Sequence, residues 1–247
     1  MLSKCGSSSV GGFRSLPPSW SGATAFSENQ PIWYFRGYKT DGVDPVTGQP
    51  NFVDVSGPDG EPDGVINSDD ITYIGDPHPD FLYGLSANLE YKGFDFSFVM
   101  QGSQGNDVLL GWLRSDRPNI NFPAFRFEDR WTPATTNASQ PRMDRYNEND
   151  NPEGLDDKYY QSDMLVFDGS FLKIRQIQLG YSLPSSLLSS VKISKARVYV
   201  SLDDYFTFTK YEGMDPEAGS TNNQSQGIDQ GVYPTPRKVM FGLSVTF

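Results

Sequence analysis

The sequence of 247 residues contains a single cysteine, Cys5, and a single histidine, His78. One thiol excludes both a disulfide framework and a cysteine-based zinc site. No stretch approaches the roughly 18 apolar residues that a membrane helix needs, and the mean hydropathy is −0.51. The opening residues, Met-Leu-Ser-Lys-Cys-Gly-Ser-Ser-Ser, hold no apolar run able to act as a secretory signal. Basic residues are also short, 20 Lys and Arg against 31 Asp and Glu, for a formal charge of −11. Nucleic acid, which needs basic patches, is thereby argued against. No Gly-x-Ser-x-Gly elbow occurs. His78 lies between Pro77 and Pro79 with no nucleophile to activate, and reads as a turn residue. Acidic residues are spread throughout, and no spacing singles out an acid and a base. The sequence is therefore not read as an enzyme.

Aromatic residues are abundant, with 17 Phe and 13 Tyr. The final segment places Val239, Phe241, Leu243, Val245 and Phe247 on one face and Met240, Gly242, Ser244 and Thr246 on the other. A strand with one apolar face and one small, polar face suits a wall between hydrocarbon and a wet lumen. Five further candidates share this period of two. Pro31 to Lys39 is aromatic and extended. Phe81, Tyr83, Leu85, Ala87, Leu89 and Tyr91 form a stripe, and after Lys92-Gly93 so do Phe94, Phe96, Phe98 and Met100. Two residues between such runs make a tight hairpin. In Phe171 to Leu183 the apolar phase slips between Ile174 and Ile177, the sign of a bulge or of passage through a rim. Lys195 to Phe208 carries Val198, Val200, Leu202, Phe206 and Phe208, interrupted by Asp204.

Connections alternate in length. Lys92-Gly93 and Pro184 to Ser194 are short, whereas Thr40 to Asp80, Gly102 to Ser170 and Thr209 to Arg237 are long and rich in Gly, Pro, Asn and Asp. Short turns at one end and long loops at the other are the arrangement of bacterial outer-membrane barrels. The expected fold is all-β, a transmembrane antiparallel β-barrel with long extracellular loops. A soluble, calcium-dependent β-sandwich that binds glycans is the alternative, with Phe94, Phe96 and Phe98 absorbed into a sandwich core.

One loop carries chemistry of its own. From Asp59, oxygen ligands fall at positions 1, 3, 5, 9 and 12 (Asp59, Glu61, Asp63, Asn67, Asp70), with glycine at 6 and the Val65 carbonyl at 7. Structural Ca²⁺ takes hard oxygens at this spacing. Asp at position 12, where Glu is standard, resembles the dockerin variant. Asp54 and Ser56 begin a competing frame, with Gly57-Pro58 against its continuation. In the long third loop Trp112, Trp131, Tyr159 and Tyr160 are candidate ligand contacts, able to stack on sugar rings or clasp a peptide; packing within the loop is the plainer role. Arg114, Arg117, Arg126, Arg130, Arg142 and Arg145, interleaved with Asp116, Glu128, Asp129 and Asp144, read as exposed pairs.

A series of short motifs stands in a recognisable order: Gly37-Tyr-Lys-Thr-Asp-Gly42, Ile74-Gly-Asp-Pro-His-Pro-Asp-Phe81, Tyr91-Lys-Gly-Phe-Asp-Phe96, Arg130-Trp-Thr-Pro133, Leu172-Lys-Ile-Arg175, Leu179-Gly-Tyr181, Arg197-Val-Tyr-Val200, Phe206-Thr-Phe-Thr-Lys-Tyr211, Asp215-Pro-Glu217 and Tyr233-Pro-Thr-Pro-Arg237. From about Ile32 to Phe247 the chain resembles the SusC/RagA-type TonB-linked outer-membrane proteins. That resemblance implies a place in the cell outer membrane and a TonB-dependent importer of oligosaccharides or peptides, working with a SusD-like surface lipoprotein and energised through TonB-ExbB-ExbD. Barrels of this class have 22 strands around a plugged lumen, so these six strands correspond to the last six, with residues 26–247 as barrel and 1–25 unplaced. Signal sequence, TonB box and plug are not found in the sequence. The chain alone is accordingly not expected to transport; the remaining strands and plug are expected from the same or a second chain.

Overall fold

The computed structural model describes residues 22–114, 121–144, 154–188, 193–217 and 225–247. Its strands, in chain order, are β1 (Thr24–Ala25), β2 (Tyr34–Gly37), β3 (Thr40–Val43), β4 (Pro50–Phe52), β5 (Thr72–Gly75), β6 (Phe81–Tyr91), β7 (Phe94–Gln104), β8 (Asp107–Leu110), β9 (Val166–Asp168), β10 (Phe171–Ser182), β11 (Lys195–Thr209), β12 (Ile228–Asp229) and β13 (Lys238–Thr246). Five of them build one antiparallel sheet in the order β13-β11-β10-β7-β6. These are five of the six segments expected from period-two patterning.

Register explains the pattern. Leu89 pairs with Phe96, Phe96 with Leu179, Leu179 with Val200 and Val200 with Phe241, so one apolar row crosses all five strands. This face has no cover: Phe241 is 83% and Leu243 68% exposed. No second sheet lies over it among the described residues, which sets the sandwich alternative aside. The turn at Lys92-Gly93 has φ of 48° and 86°, the left-handed pair that a two-residue hairpin needs to match strand twist. The phase slip is a bulge. Between Ile174 and Gln176 the pairing skips Arg175 toward both neighbours, and on β11 it skips Asp204 and Tyr205. Asp204 adopts φ 50° there, and its carboxylate holds Arg175 Nη1 at 2.7 Å. The irregularity thus keeps Ile174 and Phe206 on the apolar face while two charged side chains meet.

The sixth expected segment does not join the wall. Tyr34–Gly37 pairs with β1 and β5 in a separate three-stranded sheet. Thr24 and Ala25, within the unplaced first 25 residues, therefore have a defined partner. The reason is tertiary packing: Phe35 is fully buried, and a Cβ on Gly37 would fall 2.1 Å from the Gln161 carbonyl oxygen.

The buried core lies outside the wall, among the long connections. Phe35, Val108, Leu109, Leu110, Leu113, Leu155, Tyr159, Tyr160, Leu165, Tyr211 and Ile228 form one cluster. A second small sheet, β12-β8-β9, runs through it. Two wall strands continue into this body: β7 passes to β8 across Gly105 and Asn106, and β9 passes to β10 across Gly169 and Ser170. Gly169 N–H donates to the Asn106 carbonyl at 2.8 Å, and Gly105 N–H to Ser170 Oγ at 3.0 Å. The short turns, Lys92-Gly93 and the segment with the one-turn helix Ser185–Leu188, sit at the opposite end of the wall.

Candidate functional site

Position along the wall sorts the polar groups. Lys173 stands on the polar face of β10, opposite Gln101 and Thr207. It is 2% exposed. Its ammonium reaches Asp215 Oδ1 at 2.7 Å and Glu217 Oε2 at 2.6 Å, both from the loop after β11. Glu217 Oε1 accepts from Arg175 Nη2 and from Gln101 Nε2. Asp215 also accepts from the backbone N–H groups of Glu217 and Thr235. Burial pushes the Asp215 carboxyl up, but Lys173 and these N–H groups outweigh it and hold it below the usual carboxylate range. Four charged side chains, Lys173, Arg175, Asp215 and Glu217, therefore pin residues 215–217 onto the polar face of the wall. The sequence shows them only as two separate motifs, Leu172-Lys-Ile-Arg175 and Asp215-Pro-Glu217, and not as one network; Lys173 and Arg175 are the charged residues of a strand otherwise apolar or neutral.

Beside this network the polar face carries an open cavity of about 800 Å³. Its floor is Gly84 and Gln101 from β6 and β7, with Ser103 and Asn106 at the rim and Pro216, Glu217 and Gln226 closing one side. Nearer the short turns Asp95 on β7 and Arg197 on β11 pair across β10, with Arg197 Nε donating to Asp95 at 2.8 Å. Gly180 lies between them, and a Cβ there would come within 2.4 Å of the Asp95 carboxylate.

The acidic loop folds around Asp70. This fully buried carboxylate accepts the N–H groups of Val55 (2.8 Å), Ser56 (3.2 Å) and Asn67 (2.9 Å). The Asn67 N–H, then burial acting against it, then the Val55 and Ser56 N–H groups set its titration, with the net effect a lowered pKa. The Asp54 side chain lies against Asp70, and Asp54 Oδ2 accepts the Gly64 N–H. Its other oxygen, Oδ1, is buried without a hydrogen-bond partner. Asp63 Oδ1 accepts from Val65 N–H and Asn67 Oδ1 from Asp69 N–H, at 2.9 and 2.7 Å. Asp59 and Glu61 are exposed on the excursion 57–62. Among the described residues no three His, Cys, Asp or Glu side chains converge as a metal-holding group.

The aromatic candidates separate. Tyr159 and Tyr160 are buried in the loop core, their rings 5.2 Å apart. Burial raises the Tyr159 pKa above its ordinary value. The fully buried Arg126 guanidinium stacks over the Tyr159 ring at 4.3 Å. Trp112 packs against the same core. Trp131 donates from Nε1 to the Pro45 carbonyl at 3.0 Å, and its ring takes the space where Gly48, at φ 74°, would otherwise carry a Cβ. Arg142 pairs with Asp144, Arg130 lies over Phe127, and Arg114 is buried. Arg117, Arg145 and Asp116 lie outside the described residues. His78 Nδ1 contacts Asp76 Oδ1 at 2.7 Å, which fits a turn residue.

No protein-family model matches the chain. TonB-dependent receptor P3 of Formosa agariphila is 31% identical over 241 residues, 89% of this chain and 22% of that protein. TonB-dependent receptor P26 of the same organism is 32% identical over 192 residues, 75% of this chain and 19% of the relative. TonB-dependent receptor SusC of Bacteroides thetaiotaomicron is 31% identical over 197 residues, 79% of this chain and 17% of SusC. Among solved structures, a chain of the RagAB peptide importer in its "open-open" state superposes with a TM-score of 0.68 at 22% identity, covering 95% of this chain and 24% of the other. The chain thus spans about a fifth of the length of the curated relatives it matches. The five-stranded sheet is a stretch of barrel wall, its apolar face toward lipid and its polar face toward the lumen, and the chain belongs to the SusC/RagA family of TonB-dependent receptors.

Proposed function

We propose that this chain forms part of an outer-membrane importer of glycans or peptides that works with a SusD-like surface lipoprotein and draws energy through TonB-ExbB-ExbD. The carrying observation is the wall itself: one apolar row running unbroken across five strands, with every long connection gathered at one end. Receptor P3 and SusC, at 31% identity, support the assignment. The role is transport and not catalysis. Five strands leave β6 and β13 as open edges, and an unpaired edge in lipid is too costly to persist, so the other strands and the plug complete the barrel around this segment. The test is to solubilise outer membrane of the source organism in detergent, capture the protein through this chain, and identify what accompanies it by mass spectrometry. Recovery with plug-bearing sequence and a surface lipoprotein is expected. A soluble 27.5 kDa species without membrane partners would overturn the reading.

We further propose that the acidic loop holds a structural Ca²⁺. The frame read from Asp59 offers Asp59, Glu61, Asp63, the Val65 carbonyl, Asn67 and Asp70, of which the last four are retained here. What supports the reading is the buried, unpartnered Oδ1 of Asp54 beside Asp70, since two touching carboxylates need a cation or a proton between them. The contact of Asp54 with the Gly64 N–H makes Asp54 the better first ligand, with 57–62 as an insertion. Ca²⁺ should slow proteolysis within 54–70, Asp54→Asn should abolish that protection, and Asp59→Asn should leave it intact. Cleavage indifferent to both Ca²⁺ and chelator would reduce the loop to a solvated acidic turn.

A further inference from the structure

Within the importer reading, on which this inference rests, we infer that the cavity under residues 215–217 is a subsite for an uncharged oligosaccharide, in preference to peptides and to acidic or sulfated glycans. Its volume of about 800 Å³ lies within the range of small-molecule sites. Apart from Glu217, the polar lining groups are neutral: the amides of Gln101, Asn106 and Gln226 and the hydroxyl of Ser103, of which Gln101 Nε2 donates to Glu217 and Ser103 Oγ to Asn106 Oδ1, leaving the Gln101 carbonyl oxygen, the Asn106 amide nitrogen and Gln226 for a ligand. Phe171 adds an aromatic ring on the Lys173 side of the sheet, a flat apolar face suited to a sugar ring. Among the described lining residues the one ionised group is Glu217, and both of its oxygens are committed, Oε2 to Lys173 and Oε1 to Arg175 and Gln101.

That neutralisation decides the ligand class. A short peptide brings an ammonium and a carboxylate, and a uronate or sulfate brings an anion. Each would meet no free counter-charge among the described lining residues, since Lys173 and Arg175 are saturated by Asp215, Glu217 and Asp204. A charge bound there gains no ion pair to offset whatever hydration it gives up. Hydroxyl groups, which both donate and accept, match these amide groups without that cost.

The test uses the complete receptor purified from outer membrane and three probe pools: neutral oligosaccharides, their uronate or sulfated counterparts, and tryptic peptides. Binding is read by calorimetry and by mass spectrometry of retained ligand. Gly84 lies on the cavity floor, and a Cβ added there meets its nearest neighbour, the Met100 carbonyl, at 3.4 Å. Gly84→Phe thus fills the cavity from a strand position that tolerates a side chain, and Gln226→Ala removes one amide without adding bulk. Retention of neutral oligosaccharides, weakened at least tenfold by Gly84→Phe and severalfold by Gln226→Ala, is expected. Retention of peptides or anionic glycans in their place would overturn the ligand class. Neutral-glycan binding unchanged by both variants would overturn the site while leaving the importer standing. Failure of all three pools to bind, in a protein that does not fractionate with outer membrane, would instead remove the importer reading.

Discussion

Phe98→Arg in the complete receptor will lose folding into bilayers by between one and three powers of ten, whereas Ser97→Arg, one residue away, will lose little. Phe98 sits midway along β7 between Ala87 and Ile177, in the apolar row. A cationic side chain at bilayer mid-depth costs about 2–4 kcal/mol. Ser97 lies between Asn88 and Gln178 on the polar face, where a charge stays wet. Urea titration of the folded fraction in liposomes measures both. Equal losses from the two variants would contradict the assignment of faces, because only the direction of the side chain distinguishes them.

Lys173→Met will release the loop that follows β11. The side chain is 3% exposed and sits between two carboxylates that are 14% and 26% exposed. Removing one member of a buried pair leaves uncompensated charge and costs up to about 3 kcal/mol, less here because both carboxylates retain some water. Arg175 still holds Glu217, so the loss is local. Amide exchange at 211–217 should accelerate by one to two orders of magnitude while the wall strands stay protected. Acid should act on the same contact. The Asp215 pKa is lowered in the folded protein, so its contribution is present above the ordinary carboxylate value near 3.9 and disappears as pH falls through the lower folded value. Protection of this loop should therefore persist at neutral pH and fail in acid, and Lys173→Met should flatten that dependence. Unchanged exchange in the variant would mean that packing of Tyr211 and Ile228 alone holds the loop.

The wall was legible because its chemistry repeats every second residue. Val239 to Phe247 announced a strand with two unlike faces, and the slip between Ile174 and Ile177 announced the bulge that skips Arg175. Pro31 to Lys39 shows where such reading ends. Phe35 and Gly37 do alternate with Tyr34 and Arg36, but a period of two does not say which sheet a strand joins. That is set by the Gln161 carbonyl packed against Gly37, more than a hundred positions away. Tyr159 and Tyr160 were plausible ligand contacts for the same reason. An aromatic pair in a long polar loop looks exposed until Leu110, Leu155 and Leu165 are known to pack with it. The charged network was half visible, since Leu172-Lys-Ile-Arg175, Asp204 and Asp215-Pro-Glu217 each stood out in the sequence, but nothing there said that they meet across 29 to 44 positions.

The passage of β7 into β8 and of β9 into β10 has a consequence for how such receptors diversify. Each junction is two residues long, Gly105-Asn106 and Gly169-Ser170, and the two are hydrogen-bonded to each other. A tether this short spans about 7 Å and leaves the outer body no freedom to drift from the strand pair beneath it. The exposed turn 133–137, which lies outside the buried cluster, can therefore lengthen, shrink or change composition while the anchorage of the body stays fixed. New surface chemistry can be drafted there without renegotiating the geometry of the rim.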